Sequence, residues 1–161
     1  MILQKLQGKF PPEILESGEE HQNLFVVINK ERSHEVLAFL RDEPDLKFEL
    51  LADLCGVDRL KLNQSPRFEV VYQLYSPTHN HRLRVRVKVP EESTTVASVI
   101  DLWKAADWPE RECWEMFGIV FEGHPNLKHL LLFEGFEGYP LRKDYPIEKR
   151  QKIPVTEEFP T

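Results

Sequence analysis

Two stretches of strict alternation constrain this chain more than any other feature. Phe68, Val70, Tyr72 and Leu74 alternate with Arg67, Glu69, Val71, Gln73 and Tyr75, and Leu83, Val85, Val87 and Val89 alternate with Arg82, Arg84, Arg86 and Lys88. A period of two sends successive side chains to opposite faces of a strand. The turn-forming run Ser76-Pro77-Thr78-His79-Asn80 lies between the stretches, so they form a hairpin. Pairing Leu74 with Leu83 and Val70 with Val87 gathers the apolar residues on one face and sets Glu69 opposite Lys88. A slip of one residue would drive Arg84 against Tyr72 inside the core. This register leaves a connection of about six residues, Ser76 to His81.

The buried face of that hairpin must be covered by other elements. The apolar run Leu24-Phe25-Val26-Val27-Ile28 reads as a buried strand. Asn29 can cap a following helix with Val36, Leu37 and Leu40 on one face, which ends before Pro44 because the residue preceding proline avoids helical geometry. Phe48, Leu50, Ala52 and Leu54 alternate as a further strand. Val96, Val99, Ile100 and Trp103 stand at helical spacing, with Ser93 or Thr94 as cap. A second helix has Asp107 as cap, Pro109 in its first turn, Glu110 closing a capping box, Glu112 near its positive end and Gly118 as left-handed stop.

These elements predict an α+β fold, a two-layer sandwich in which a mixed or antiparallel sheet of about four strands carries helices on one face. The expected domain spans 1–118, with 1–22 as a polar lead-in. Residues 119–161 form an extended tail. From Gly123 onward the tail holds five of the twelve prolines and three of the seven glycines, together with Phe133, Phe136, Tyr139, Tyr145 and Phe159. Disordered segments are poor in aromatics, so such a tail is better explained by a partner surface on which it lies.

Composition excludes several functions. The chain has 161 residues and a net charge of -6, which argues against a nucleic-acid binder. No apolar run is long enough to cross a membrane. The first residues are too short and polar for a signal peptide, so a cytosolic location, or one at a membrane surface through a partner, is expected. The two cysteines, Cys55 and Cys113, are too few for an iron–sulfur cluster and read as reduced, buried thiols. The ladder Arg82, Arg84, Arg86 and Lys88 reads either as a solvated strand face or as a docking stripe for an acidic surface.

Candidate catalytic groups do not assemble from the sequence. His79 and His81 lie in a turn with their rings expected to point apart or into water, and without a third ligand. His124 and His129 are not at helical spacing and lack an HExxH arrangement. Cys113 sits mid-helix beside Trp114, where inert packing is favoured. No nucleophile elbow or phosphate-cradling loop occurs.

The segment from Trp108 to Pro146 carries a more specific signal. Glu110-Arg111-Glu112, Met116-Phe117-Gly118, Phe121-Glu122-Gly123-His124-Pro125 and Pro140-Leu141-Arg142-Lys143-Asp144-Tyr145-Pro146 follow one another in order. Together they closely resemble the signature of the C subunit (the 30 kDa subunit family) of respiratory complex I. Gly56-Val57-Asp58 fits the family's middle strand more weakly. Glu115 stands where the family usually has aspartate, and Phe133-Glu134-Gly135-Phe136 replaces a Pro-Glu/Asp-x-Trp stretch.

The resemblance implies a cofactor-free scaffold subunit that is not an enzyme by itself. It implies a place in the hydrophilic arm of the complex, on the cytoplasmic side of the bacterial inner membrane, as a free-standing subunit. It also implies that the C-terminal segment packs on the D subunit of the complex, which forms the quinone site with the B subunit. FMN and iron–sulfur clusters would reside in partner subunits that carry electrons from NADH to quinone, coupled to proton translocation. Membrane-bound hydrogenases, F420H2 dehydrogenases and photosynthetic NDH-1 complexes use related subunits. The implied partner contacts are Glu110, Arg111, Glu112, Phe121, His124, Pro125, Pro140, Leu141, Arg142, Lys143, Asp144, Tyr145 and Pro146. On that reading, losing Arg142 or Asp144 impairs assembly and leaves the isolated domain folded.

Overall fold

The hairpin is the centre of the sheet. In the computed structural model, which describes residues 1–62 and 65–153, the elements run α1 (Ile2–Lys9), β1 (Ile14–Glu20), β2 (Asn23–Ile28), α2 (Ser33–Asp42), β3 (Leu50–Asp58), β4 (Phe68–Ser76), β5 (His81–Val89), β6 (Thr95–Ala97), α3 (Asp107–Phe117) and β7 (Val120–Glu122). Five strands form one mixed sheet in the order β1-β2-β5-β4-β3, and β6 and β7 pair separately in parallel. The β4–β5 register is the one that burial demands: Leu74 faces Leu83, Val70 faces Val87 and Glu69 faces Lys88. Pairing continues to Ser76 and His81, so the loop is shorter than the alternation suggested, residues 77–80.

β2 runs parallel to β5 inside the sheet. Phe25 to Ile28 are all buried, as expected of an internal strand whose two faces are both covered by side chains. Val26 and Ile28 join Val85, Val87, Val70 and Tyr72 in one apolar cluster. Ile2 and Leu6 of α1, Val36, Leu37 and Leu40 of α2, and Cys113 of α3 pack into the same cluster. The fold is therefore a two-layer α+β sandwich with its helices on one face of the sheet.

Several local expectations change. The lead-in carries α1 and β1, with Ile2, Leu6 and Phe10 buried. The Asn29 side chain donates to the Pro12 carbonyl rather than capping α2, whose first residue, Ser33, turns its hydroxyl back to the Lys30 carbonyl. β3 does not alternate as read: a bulge between Leu51 and Asp53 shifts the register, so Leu51 and Leu54 are buried while Leu50 is exposed. The stripe Val96–Trp103 is not a helix. Its β-branched start forms β6, and Ser98 N–H donates to the Glu122 carbonyl. Cys113 is buried but Cys55 is exposed, because it falls on the sheet face away from the helices. The His79 and His81 rings do not point apart but stack at 5.7 Å, and His79 Nε2 lies 2.9 Å from the Pro44 carbonyl.

α3 lies close against β3 at Gly56. A Cβ there would stand 2.5 Å from the Phe117 ring and 2.9 Å from Cys113 Sγ. Gly56→Ala should thus destabilise the chain by about 1–3 kcal/mol through overpacking, measured by urea unfolding.

Candidate functional site

α3 carries more buried charge than any other element among the described residues: Glu110, Arg111 and Glu115 are all buried. Such groups must be hydrogen-bonded. Glu110 is fully buried and reaches the turn after β6, accepting from Ser98 Oγ at 2.6 Å and Val99 N–H at 2.7 Å. Burial outweighs both bonds, so its carboxyl is pushed above its ordinary value. This contact replaces the expected capping box. Ala106 holds the cap position, and Asp107 is the first helical residue without a side-chain cap bond.

Arg111 and Glu115, one turn apart, clamp a single loop from both polarities. Arg111 donates to the carbonyls of Lys128 and His129 at 3.1 and 2.9 Å. Glu115 accepts from the N–H groups of Leu130, Leu131 and Leu132 at 3.1, 2.8 and 3.2 Å, and from His129 Nδ1 at 3.2 Å. Burial pushes the Glu115 carboxyl up, but these donors hold it below its ordinary value. Nearby, the Asn126 N–H donates to His124 Nδ1, and His124 Nε2 lies 3.2 Å from the Asp107 carbonyl. That pair of contacts occupies both ring nitrogens.

The C-terminal end of α3 seats the tail. Gly118 caps the helix at φ 74°, and a Cβ there would stand 2.6 Å from both Arg142 Nη2 and the Tyr139 ring. Arg142 Nε donates to the Phe117 carbonyl at 2.6 Å, where a cation also meets the negative end of the helix. Its guanidinium lies over the Phe68 and Tyr139 rings. The Leu141 N–H donates to the Met116 carbonyl.

Two residues later the chain meets a buried ion pair. Arg67 donates Nε and Nη2 to Asp58 at 3.0 and 2.8 Å and also reaches Glu91 and Asp144. The Lys143 N–H donates to Asp58 Oδ2 at 2.8 Å. Tyr145 stacks on Phe136, and Gln151 ties Tyr145 to Glu137. The tail thus folds back on its own domain as far as Asp144, and Gln151 holds Glu137 and Tyr145 within the tail, whereas its continuation, with Phe159, lies outside the described residues.

The residues expected at a partner surface therefore divide. Glu110, Arg111, Phe121, His124 and Arg142 spend their side chains inside the chain. Glu112, Pro125, Leu141, Lys143, Asp144 and Pro146 are exposed, with Pro140 and Tyr145 half-buried. Asp58, Arg67 and Glu115, which hold the frame, were not among the expected partner contacts, although Asp58 and Glu115 lie in matched segments. Trp108 and Leu131 were missed as surface groups: they are 65% and 62% exposed and flank a depression of about 580 Å³ beside Pro109 and Glu112. Among the described residues, no group of three His, Cys, Asp or Glu side chains converges as a metal site requires. Burial pushes the Cys113 thiol well up, against any role as a nucleophile.

Burial would raise the Asp58 carboxyl, but Arg67 and the N–H groups of Lys143 and Leu60 bring it down to about 2. A depressed acid stabilises the fold above its unfolded pKa, here by about 2 kcal/mol, and that contribution is lost as pH falls from about 4 to about 2. Asp58→Asn should lower stability at neutral pH and flatten the acid limb of a stability–pH curve in that window, read by urea titration.

Comparison with known proteins gives a consistent result. The family model described as "Respiratory-chain NADH dehydrogenase, 30 Kd subunit" matches residues 26–151. The NADH-quinone oxidoreductase C subunit of Roseiflexus sp. is 46% identical over 146 residues, covering 91% of this chain and 83% of that protein. The C subunit of Hyphomonas neptunium is also 46% identical, over 92% of this chain and 72% of its own length. A solved structure of the trypsin-resistant fragment (1-134) of Nqo5 superposes with a TM-score of 0.69 at 37% identity, covering 78% of this chain and 96% of the fragment. A chain of an archaeal membrane-bound sulfane sulfur reductase shares the fold, with a TM-score of 0.74 at 22% identity over 91% of this chain and 85% of its own. The matched stretch contains both the α3 clamp and the seat of the tail, and the chain belongs to the 30 kDa subunit family of the respiratory-chain NADH dehydrogenase, the C subunit of NADH-quinone oxidoreductase.

Proposed function

We propose that this chain is a cofactor-free structural subunit of the peripheral arm of a proton-translocating NADH:quinone oxidoreductase. Its C-terminal segment docks on the D subunit, beside the B subunit and near the quinone site, on the cytoplasmic side of the inner membrane. FMN and the iron–sulfur clusters belong to partner subunits. One observation carries this reading: a segment without regular structure is held firmly by buried charges, yet leaves large apolar side chains in water. Leu141 is 50% exposed and Ile147 100%, with Trp108 and Leu131 on the same half of the chain. Clustered exposed apolar groups mark a binding surface, and a preformed one avoids much of the ordering cost of association.

A tagged chain should be recovered from gently solubilised membranes in a large particle that stains for NADH oxidation on a native gel, with the B and D subunits as neighbours. Recovery as a lone protein would overturn the reading, and recovery with hydrogenase subunits would keep the structural role but change the reaction. Trp108→Ala should cost about 2 kcal/mol of binding, roughly thirtyfold in affinity. The readout is the fraction of chain co-migrating with the particle, at an unchanged melting temperature.

A further inference from the structure

The sheet face away from the helices has a different chemistry from the tail. On it β5 presents Arg84, Arg86 and Lys88, β4 presents Glu69 and Val71, and β3 presents Cys55 and Val57. Glu69 is only 1% exposed and meets three cations: Arg59 Nη2 at 2.8 Å, Arg86 Nε at 3.3 Å, and Lys88 Nζ. Arg86 and Lys88 have no other carboxylate in ion-pair range among the described residues, so these two cations share one anion and leave a positive charge over. Arg84 stands beside it with no carboxylate in ion-pair range among the described residues. A depression of about 530 Å³ opens between Arg59, Arg84 and Arg86, and all its walls belong to the sheet and to the turn after β3. The chain as a whole carries -6, which makes this concentration of cations stand out.

We propose that this open sheet face is a second subunit interface, separate from the tail, and that it receives an acidic segment of a neighbouring protein subunit with an Asp or Glu carboxylate set against Arg84. The proposal rests on the reading of the chain as a subunit and adds a second contact to it. The charge pattern selects a local carboxylate. Glu20 lines the depression with Arg84, and Glu16 and Asp53 stand on the same face, so the cations are interspersed with carboxylates, a pattern that fits one local carboxylate rather than an extended polyanion such as nucleic acid or an anionic membrane. Val57, Val71 and the Phe25 ring beneath Arg86 give the centre an apolar floor, suited to a mixed acidic and apolar segment of protein. A charge pair made there would be partly desolvated and charge-assisted, which strengthens it.

Cys55 reports on this face, because it is exposed there and Cys113 is buried. Isolated full-length chain and native membranes holding the complex are treated with the same maleimide. Cys55 should label in the isolated chain and lose its labelling in the complex. Arg84→Glu should melt at the same temperature as the parent and be largely lost from the complex, while Arg84→Lys should be retained. Cys55 that labels equally fast in the assembled complex overturns the interface, and normal assembly of Arg84→Glu overturns the carboxylate chemistry. Either result with the chain present in the complex sinks this proposal alone, whereas its absence from any complex sinks the subunit reading as well.

Discussion

Buried charge that takes backbone groups as its partners is the interaction on which this structure depends. An ionised side chain in the interior must be hydrogen-bonded, and so must the peptide groups of a segment that joins no sheet. α3 meets both needs at once. Glu110 closes the turn at 98–99, and Arg111 and Glu115 take the carbonyls and N–H groups of 128–132. The charges fix the path, and Leu131, in the middle of that loop, is left exposed.

The same logic operates at the start of β4, on both sides of the sheet. Arg67 turns to the helical side, where Asp58 neutralises it and also accepts the Lys143 N–H. Glu69, two residues on, is buried on the other side among Arg59, Arg86 and Lys88. The two clusters differ in balance. Around Arg67 the anions Asp58, Glu91 and Asp144 outnumber the cation, and a backbone N–H and exposure of the outer two absorb the excess. Around Glu69, Arg86 and Lys88 share one carboxylate on the open side of the sheet. The first cluster holds the tail, and the second is the ground for the proposed contact.

What the sequence revealed depended on how local the deciding force was. The hairpin register followed from parity, because one slip would have buried Arg84. Parity failed in β3, since a bulge at 51–53 is invisible to a count of alternating residues. Helical spacing failed at 96–103: Val96, Val99, Ile100 and Trp103 are all needed in the core or near it, but the segment reaches it as a short strand and a turn held by Glu110, twelve residues downstream of Ser98. The expected capping box failed for the same reason, as a more distant partner took the carboxylate. Signature residues were legible as a resemblance long before their roles were. Gly56 and Asp58 looked like the weakest part of the match, yet one admits α3 to the sheet and the other seats the tail.

That division of labour also accounts for loop histidines and carboxylates that look catalytic in the sequence. A general base or metal ligand needs a lone pair or proton directed at open space. Here His124 has both ring nitrogens engaged with Asn126 and Asp107, and Glu115 has its oxygens filled by backbone donors. Titratable groups that look catalytic in sequence are consumed in ordering the chain. What remains at the surface includes the apolar groups Trp108 and Leu131 beside α3 and the cations of the open sheet face, and these are the groups on which the two proposed contacts rest.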